Sequence, residues 1–485
     1  MNGVASSVAK ASHEARPLWS LTIAEAAALI ASGKLCPIDL VEAFLARIEA
    51  VDRRIHSFIH LDASGARQAA QRAADELRAG RWRGPLHGIP FGVKDNYDAI
   101  GLPATANNRM RLNRVAEKDA TAVARLRKAG AILLGKLNTW EYGTGNGGEY
   151  FDTPFPTARN PWDVARFAGG SSTGAGAAVA AGTAMFALGS DTTGSVRFPA
   201  AACGVVGLKP TPGRVSRAGI LPNCYSLDVA GCFTWTAADA ALVLKAIAGE
   251  DAEDATSEAV PVPDYHRHLG RGVAGMRVAV VGKVGPGAPE PDAALREAFA
   301  ASLKVLEKLG CILVETQLPV SAADCFAVTR FIGPPESAAI HEAEYRDAPE
   351  LIGFALRDKL HSGSMVRAAD YIAAQRRRRH IAEAIDTCLG GYDVLVTFGA
   401  HHVAPRLGVE PEMTNFTAQS PMTPFNLSSH PALVQCTGFD SSGLPLHWQI
   451  VGHRFDEATM LRLADAYEQA TDWRAERAKA TGEGS

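Results

Sequence analysis

Apolar residues near the N-terminus recur at the spacing of amphipathic helices. Thr22 and Glu25 match a capping box ahead of an apolar run. Pro37 can open a second helix, which carries its apolar residues on one face: Leu40, Val41, Phe44, Leu45 and Ile48. A third helix is predicted over residues 63–80, where a glycine ends the pattern. We therefore expect three helices that each bury one face.

Short apolar runs alternate with helical patterns along the rest of the chain. Residues 120–130 and 296–310 show the helical spacing. The strand-like runs are HGIPFGVKD at 87–95, AILLGKLN at 131–138, AVVG at 279–282, CILVE at 311–315 and VLVTF at 394–398. This alternation predicts an α/β chain with a sheet covered on both faces. The acidic and then proline-containing stretch 249–275 is the best candidate for a domain boundary.

The composition is that of an ordinary globular protein. The 485 residues include 49 basic and 52 acidic side chains, and 47% of the chain is hydrophobic. Such a length gives a prior of about three domains. The apolar content excludes a disordered chain, and the lack of a basic excess argues against a sustained polyanion binder.

Cysteine usage and the N-terminus indicate a cytoplasmic protein. The eight cysteines include no CxxC pair and none at zinc spacing from a histidine, so we interpret them as buried free thiols. Residues 1–17 lack the apolar core of a secretory signal and are predicted to be a loose tail. The small-residue run 174–188 is too short to span a bilayer, so no membrane association is expected.

Glycine and serine crowd into residues 143–231, where two segments suggest chemistry: AGGSSTG at 168–174 and GSDTTGSVRFPA at 189–200. A serine beside free backbone N–H groups can act as a nucleophile with its own oxyanion hole, but the same residues also fit tight turns. No histidine lies in or between these segments to serve as a base. Lys94, preceded by apolar residues, can serve instead if burial keeps it neutral.

Six motifs, in this order, resemble the amidase signature family from about residue 18 to about residue 471: GIPFGVKD, GKLNTWEYGTG, NPWD, GGSS, GSDTTGSVRFPAAACGVVGLKPT and SHPALVQCTGFDSSGLPLHWQIVG. The resemblance implies one α/β domain over residues 18–475, around a large, mixed, mostly parallel twisted sheet with helices on both faces. Residues 250–410 would form the variable substrate region, and residues 476–485 a C-terminal tail.

The family's catalytic residues fall on three positions of this chain. Lys94 matches the lysine, Ser171 the bridging serine and Ser195 the nucleophile. The resemblance implies an acyl-enzyme on Ser195, with a proton relay through the other two. It places the oxyanion among backbone N–H groups of the loop that ends at Ser195: Thr192, Thr193 and Gly194.

Two threonines depart from the glycines that the family often has in these loops. Thr173 can cap a helix start. Thr193 lies in the proposed oxyanion loop, where a β-branched residue resists positive φ. Asp191 and Arg197 flank the nucleophile, and we expect structural roles for them, as loop carbonyls and N–H groups need partners.

The expected substrate pocket lies in the loop after AILLGKLN, where the resemblance points to Tyr142, Gly143 and Thr144. Trp140 fits the pocket or the core equally well. Further candidates for an apolar or aromatic pocket are Phe331, Ile332 and His401. The SSHPA segment departs from the family's more usual Gly-x-Pro-Ala, and His430 is the residue through which it can change the shape of the pocket.

Competing motifs are weaker. Residues 170–174 match G-x-S-x-G, but no strand pattern precedes them, as a hydrolase elbow requires. The histidine pairs at 401–402 and at 266 and 268 lack a third metal ligand in the sequence nearby, so neither a metal nor a cofactor is expected.

The main hypothesis is therefore a hydrolase of small amides, with aryl amides, carbamates and esters as further substrate classes. Its expected partners are the small-molecule substrate and, as relatives are often dimers, a second copy of the chain, but no nucleic acid. The alternative is the A subunit of a glutamyl- or aspartyl-tRNA amidotransferase, which works with other subunits. A non-catalytic binding protein is a third hypothesis, which the three intact catalytic positions disfavour.

Overall fold

A computed structural model describes residues 16–285 and 287–479. Most of the expected N-terminal tail, residues 1–15, and residues 480–485 of the expected C-terminal tail lie outside this range. Eleven strands form one sheet: β1 (Phe58–Leu61), β2 (Pro90–Lys94), β3 (Ile132–Leu137), β4 (Phe186–Asp191), β5 (Val206–Lys209), β6 (Val229–Thr234), β7 (Arg277–Val280), β8 (Ile312–Glu315), β9 (Val394–Phe398), β10 (Ala432–Phe439) and β11 (Pro445–Gly452).

The strand order is β1-β3-β2-β4-β6-β5-β10-β11-β9-β7-β8. Strand β2 runs parallel to β3 and β4, and β7 runs parallel to β8 and β9. The other neighbours are antiparallel, including the whole centre of the sheet. The mixed sheet is confirmed, but its parallel pairs do not predominate, because β5 and β6, and likewise β10 and β11, follow one another in the chain without a helix between them and pair antiparallel.

Seventeen α-helices are described: α1 (Ile23–Ala31), α2 (Pro37–Ile55), α3 (Ala63–Arg78), α4 (Thr121–Lys128), α5 (Thr173–Ala181), α6 (Arg197–Cys203), α7 (Ala237–Ile247), α8 (Tyr265–Leu269), α9 (Ala293–Lys308), α10 (Ala322–Arg330), α11 (Gly333–Ile340), α12 (Glu342–Asp347), α13 (Phe354–Ser364), α14 (Ala368–Leu389), α15 (Glu410–Thr417), α16 (Thr423–Leu427) and α17 (Glu457–Gln469). Short 3₁₀ turns cover Leu18–Ser20, Arg109–Arg111, Glu141–Gly143, Pro349–Leu351 and Trp473–Lys479. No helix in the described ranges is long and apolar enough to cross a membrane.

The local signals in the sequence act as expected. The Thr22 hydroxyl accepts the N–H of Glu25, whose carboxylate accepts the N–H of Thr22 in return, which completes the capping box of α1. Pro37 opens α2, and the five apolar residues predicted for its inner face are buried. The eight cysteines are free thiols, most of them buried.

Side chains from the sheet alternate between two apolar cores. Phe186 and Leu188 of β4 pack against the helices of one face, while Ala187 between them packs against α5 and α6 on the other. Both α5 and α6 are buried over their whole length. Both helices therefore lie inside the protein: α5 carries no charged side chain, and the one charged side chain of α6, Arg197, is itself buried. They hold the segments that contain the candidate serines.

Candidate active site

Parallel strands bring the predicted catalytic residues to one edge of the sheet. Lys94 is the last residue of β2, and its parallel neighbour β4 ends at Asp191, just before the loop that contains Ser195. Ser171 lies just before the start of α5. The Lys94 Nζ donates to the Ser171 Oγ over 2.7 Å. Residues 77 positions apart thus meet side chain to side chain.

The Lys94 amine lies in a fully buried position. Burial lowers its pKa from 10.5 to about 7, even though the carboxylates of Asp228 and Asp191 oppose this shift. Desolvation disfavours the ammonium form more than two carboxylates at a distance favour it. A large fraction of Lys94 is therefore a neutral amine near pH 7, and a neutral amine can accept a proton.

The Ser195 loop is held against the Ser171 segment. The N–H of Ser172 donates to the carbonyl of Ser195 over 3.3 Å, which links the two serine segments through the backbone. Ser195 is 7% exposed. The nucleophile candidate therefore lies beside the Ser171 segment with little of its surface exposed.

A buried carboxylate organises the loop around Ser195. The Asp191 side chain accepts the N–H of Gly194 over 2.7 Å and the N–H of Val196 over 3.2 Å. Both of its oxygens also accept from the Arg197 guanidinium, each over 3.0 Å. The guanidinium holds the Asp191 pKa well below its usual range, although burial alone would raise it. The structural roles expected for Asp191 and Arg197 are confirmed.

The expected oxyanion donors are not equivalent in the structure. The left-handed backbone in this loop falls on Gly194, at φ 127°, so Thr193 is spared the conformation that a β-branched residue resists. The N–H of Gly194 already donates to the Asp191 carboxylate, so the expectation that it is free to bind the oxyanion is corrected. The Thr192 hydroxyl donates to Asp228 over 2.6 Å, which fixes the start of the loop.

Trp140 belongs to the packing beneath Ser171. Its ring stacks on Phe167 with centroids 5.8 Å apart and lies directly against the backbone of Gly170. A Cβ at Gly170 would lie 2.2 Å from that ring, so only glycine fits there. Of the two interpretations of Trp140, the structure supports the core.

The predicted pocket residues separate into two groups. The Tyr142 ring is buried, and its hydroxyl accepts from Arg111 and donates to a Glu344 oxygen over 3.3 Å. These contacts give the side chain a structural role. Gly143, by contrast, borders the reaction site: a Cβ there would lie 3.2 Å from the Ser171 Oγ. Thr144 lies beside it and remains partly exposed.

Two polar residues that no motif marks bind the partly exposed loop of Gly143 and Thr144, which we call the opening of the site. The Asn223 Nδ2 donates to the Gly143 carbonyl over 3.3 Å. The Lys359 Nζ of α13 donates to the Asn223 Oδ1 and, over 3.2 Å, to the Thr144 Oγ1. Burial lowers the Lys359 pKa from 10.5 to about 8, so it is a cation at pH 7. No sequence motif marks Lys359, because only folding brings α13 to this loop.

The apolar pocket candidates do not line the opening. Ile332 is fully buried in a core with α10 and α14, and Phe331 is exposed. The His401 Nε2 lies 3.2 Å from the carbonyl of Gln419, inside the fold. His430 is also buried, with its Nδ1 2.9 Å from the Ser428 Oγ. The side chains that bind the opening, Asn223 and Lys359, are polar instead.

Comparisons with known proteins show the family of this chain. A family model described as Amidase matches residues 39–461. The A subunit of the glutamyl-tRNA(Gln) amidotransferase from Roseiflexus castenholzii is 38% identical over 94% of this chain and 97% of its own length. The solved A subunit of the same kind of enzyme from Thermotoga maritima has a TM-score of 0.77 at 32% identity, covering 93% of this chain and 95% of that one. The solved peptide amidase of Stenotrophomonas maltophilia has a TM-score of 0.81 at 31% identity, covering 92% and 96%.

These relatives correct one expectation. We expected a small-molecule substrate, no nucleic acid and at most a second copy of the chain as partners. That expectation is wrong, because relatives up to 39% identical that match over nearly their whole length are single subunits of an enzyme named for a tRNA. The motif resemblance itself is confirmed, and the chain belongs to the amidase signature family of hydrolases that act on C–N bonds.

Proposed function

We propose that this chain cleaves a carboxamide through an acyl-enzyme on Ser195. The observation that carries the proposal is the 2.7 Å contact between the buried Lys94 amine and the Ser171 hydroxyl. Neutral Lys94 accepts the Ser171 proton while Ser171 accepts the proton of Ser195. The Ser195 Oγ then bonds to the carbonyl carbon, and the carbonyl oxygen becomes an oxyanion.

Backbone N–H groups of the loop stabilise that oxyanion. Thr193 and Ser195 are the donors we assign, since Asp191 occupies the N–H of Gly194. When the C–N bond breaks, the proton returns from Lys94 through Ser171 to the leaving nitrogen. Water then attacks the acyl carbon, the relay takes one of its protons, and Ser195 leaves with a proton restored, releasing a carboxylic acid.

We further propose that the chain serves as the A subunit of a tRNA-dependent amidotransferase. Its support is the 38% identity that spans 94% of this chain and 97% of the relative. Transfer of an amido group requires a donor carboxamide, and hydrolysis at Ser195 would release its nitrogen as ammonia. Glutamine is the donor we propose, because its carboxylate complements the Lys359 ammonium at the opening of the site.

The test measures ammonia release and tRNA amidation by the full chain. We expect glutamine hydrolysis that rises when the chain is isolated together with its copurifying subunits, and conversion of glutamyl-tRNA(Gln) by that complex. Ser195→Ala is expected to abolish both activities, while Ser442→Ala, at an exposed turn, retains them. An active Ser195→Ala variant with a normal fold would refute the nucleophile.

A second candidate is hydrolysis of small amides, aryl amides, carbamates or esters by the chain itself. The likeness to the peptide amidase structure, at 31% identity, favours it. A panel of these substrates, ranked by kcat/KM against glutamine, separates the two. A higher kcat/KM for an anilide or peptide amide than for glutamine, with no tRNA product from the isolated complex, would select this second function.

A further inference from the structure

A second buried serine touches the Lys94 amine. Ser190 lies on β4, beside the end of β2, and its Oγ accepts from the Lys94 Nζ over 3.0 Å. The same oxygen also accepts from the Asn96 Nδ2 over 3.2 Å. Both lone pairs of the Ser190 hydroxyl are thus occupied by N–H donors, so it serves Lys94 as an acceptor.

An acceptor for one N–H of an amine fixes the direction in which its lone pair points, and hence the group from which it can accept a proton. Neutral Lys94 has one lone pair and two N–H bonds, and rotation about the Cε–Nζ bond decides where the lone pair points. If one N–H is held by Ser190, the lone pair can face the Ser171 hydroxyl, which lies 2.7 Å from the same nitrogen. Without that acceptor the amine loses a fixed orientation toward Ser171.

The Ser190 position is itself fixed by the segment next to Ser171. The N–H of Ser190 donates to the Ser172 Oγ over 3.4 Å, and the Ser172 Oγ donates to the Ser190 carbonyl over 3.3 Å. The strand that carries Ser190 is therefore tied to the turn that carries Ser171. These two hydrogen bonds link the strand that carries the acceptor of the amine to the turn that carries the hydroxyl that the amine must deprotonate.

We infer that Ser190 is a positioning residue for the hydrolysis, holding the Lys94 amine so that its lone pair faces Ser171. The inference rests on the relay proposed above. Ser190 touches neither the scissile bond nor the oxyanion, so its effect passes through Lys94. The other charged groups that face Lys94 are the carboxylates of Asp228 and of Asp191, at the end of β4, and the variants below keep both.

The test is the pH profile of kcat/KM for the full chain between about pH 5.5 and 9.5, a range that brackets the titration of a base with a pKa near neutrality. Ser190→Ala is expected to lower the plateau about 10- to 100-fold, since a misplaced reacting group costs that much. Its acid limb is also expected to move to lower pH, because the ammonium form of Lys94 loses an acceptor. Ser190→Thr keeps the hydroxyl and is expected to stay within a few-fold of the parent.

Ser302→Ala is the matched control, because it removes a buried hydroxyl that bonds to the Ala298 carbonyl and to the Tyr467 hydroxyl, and to neither Lys94 nor Ser190. Its acid limb should stay where the parent has it. If Ser190→Ala does not fold, Ser190→Cys replaces it, since a thiol of similar size is a weaker acceptor. An unmoved acid limb in Ser190→Ala, or in Ser190→Cys where that variant replaces it, overturns the inference. Retained activity in Lys94→Ala overturns the relay itself, which is a separate result.

Discussion

The Lys94 amine donates to the Ser171 hydroxyl over 2.7 Å in a site where the lysine has no solvent exposure. Two local features produce this contact: the carboxyl end of β2 and the turn before the all-buried helix α5. Because the amine lies among packed strands, the loss of water destabilises its ammonium form more than the nearby carboxylates stabilise it, so the Lys94 pKa is lowered. The same burial that fixes the geometry thus supplies the proton acceptor.

The first prediction is a pH dependence with a definite sign. The Lys94 pKa is about 7, and only the neutral amine accepts a proton, so kcat/KM on a neutral amide should fall about tenfold per unit below pH 7 and level off above about pH 8. Lys94→Arg keeps the charge at every pH and should lose at least about 10³-fold in rate. Lys34→Arg, an exposed lysine, is the control and should keep the parent profile. A rate that is flat from about pH 6 to 9 would contradict the role of Lys94.

The second prediction concerns the charge at the opening of the site. If Lys359 binds the carboxylate of the substrate, Lys359→Met should lower kcat/KM for glutamine about 10- to 100-fold, the range of a charged hydrogen bond. The α-amide of glutamine, which lacks the carboxylate, should lose far less, and Lys359→Arg should retain most of the preference. The ratio of the two kcat/KM values is the measurement, and an equal loss on both substrates would argue for a structural role.

The same residue adds a second limb to the pH profile on glutamine. Lys94 must be neutral, above about pH 7, while Lys359 must stay charged, below about pH 8. We therefore expect a bell-shaped profile for glutamine and a plateau for its α-amide at high pH. In Lys359→Arg the falling limb should vanish, because the guanidinium stays charged.

Much of the site was predictable because local sequence determines it. The GGSS and TTGS segments, the lysine at the end of a buried strand and the capped helices follow from neighbouring residues. The contribution of α13 was not predictable, since Lys359 reaches Thr144 across 215 residues and no periodicity encodes that contact. The antiparallel centre was missed for a similar reason: β6 and β10 are short apolar runs in the sequence, and their direction depends on partners far along the chain.

The third prediction is a loss of stability at the buried ion pair beside the nucleophile. Arg197 and Asp191 are both fully buried, and Arg197 also donates to Gln449 over 2.8 Å. Arg197→Met leaves the carboxylate without its counter-charge and should cost about 3–5 kcal/mol in the free energy of unfolding. Adding Asp191→Asn should recover part of that loss. Denaturant titration measures both, and an Arg197→Met variant as stable as the parent would show that Asp191 is not charged.

The fourth prediction tests whether the Trp140 ring sets the position of Ser171. Gly170 precedes Ser171, and a Cβ there would lie 2.2 to 2.5 Å from three ring atoms of Trp140. Since the ring is stacked on Phe167, it cannot move away without disturbing its own contact. Gly170→Ala should therefore destabilise the fold by about 1–3 kcal/mol and shift Ser171 enough to lower kcat/KM about 100-fold.

Gly148→Ala is the matched control that separates the effect of this clash from the general effect of replacing a glycine with alanine. At Gly148 the nearest atom to a new Cβ lies 3.4 Å away, an ordinary contact, so Gly148→Ala should keep both stability and kcat/KM. Trp140→Phe, combined with Gly170→Ala, makes room for the methyl group by removing the ring atoms that it would meet. We expect the double variant to be more active than Gly170→Ala alone, because relief of the clash lets Ser171 return toward the Lys94 amine. If the double variant loses the sum of both single effects, the ring does not position Ser171.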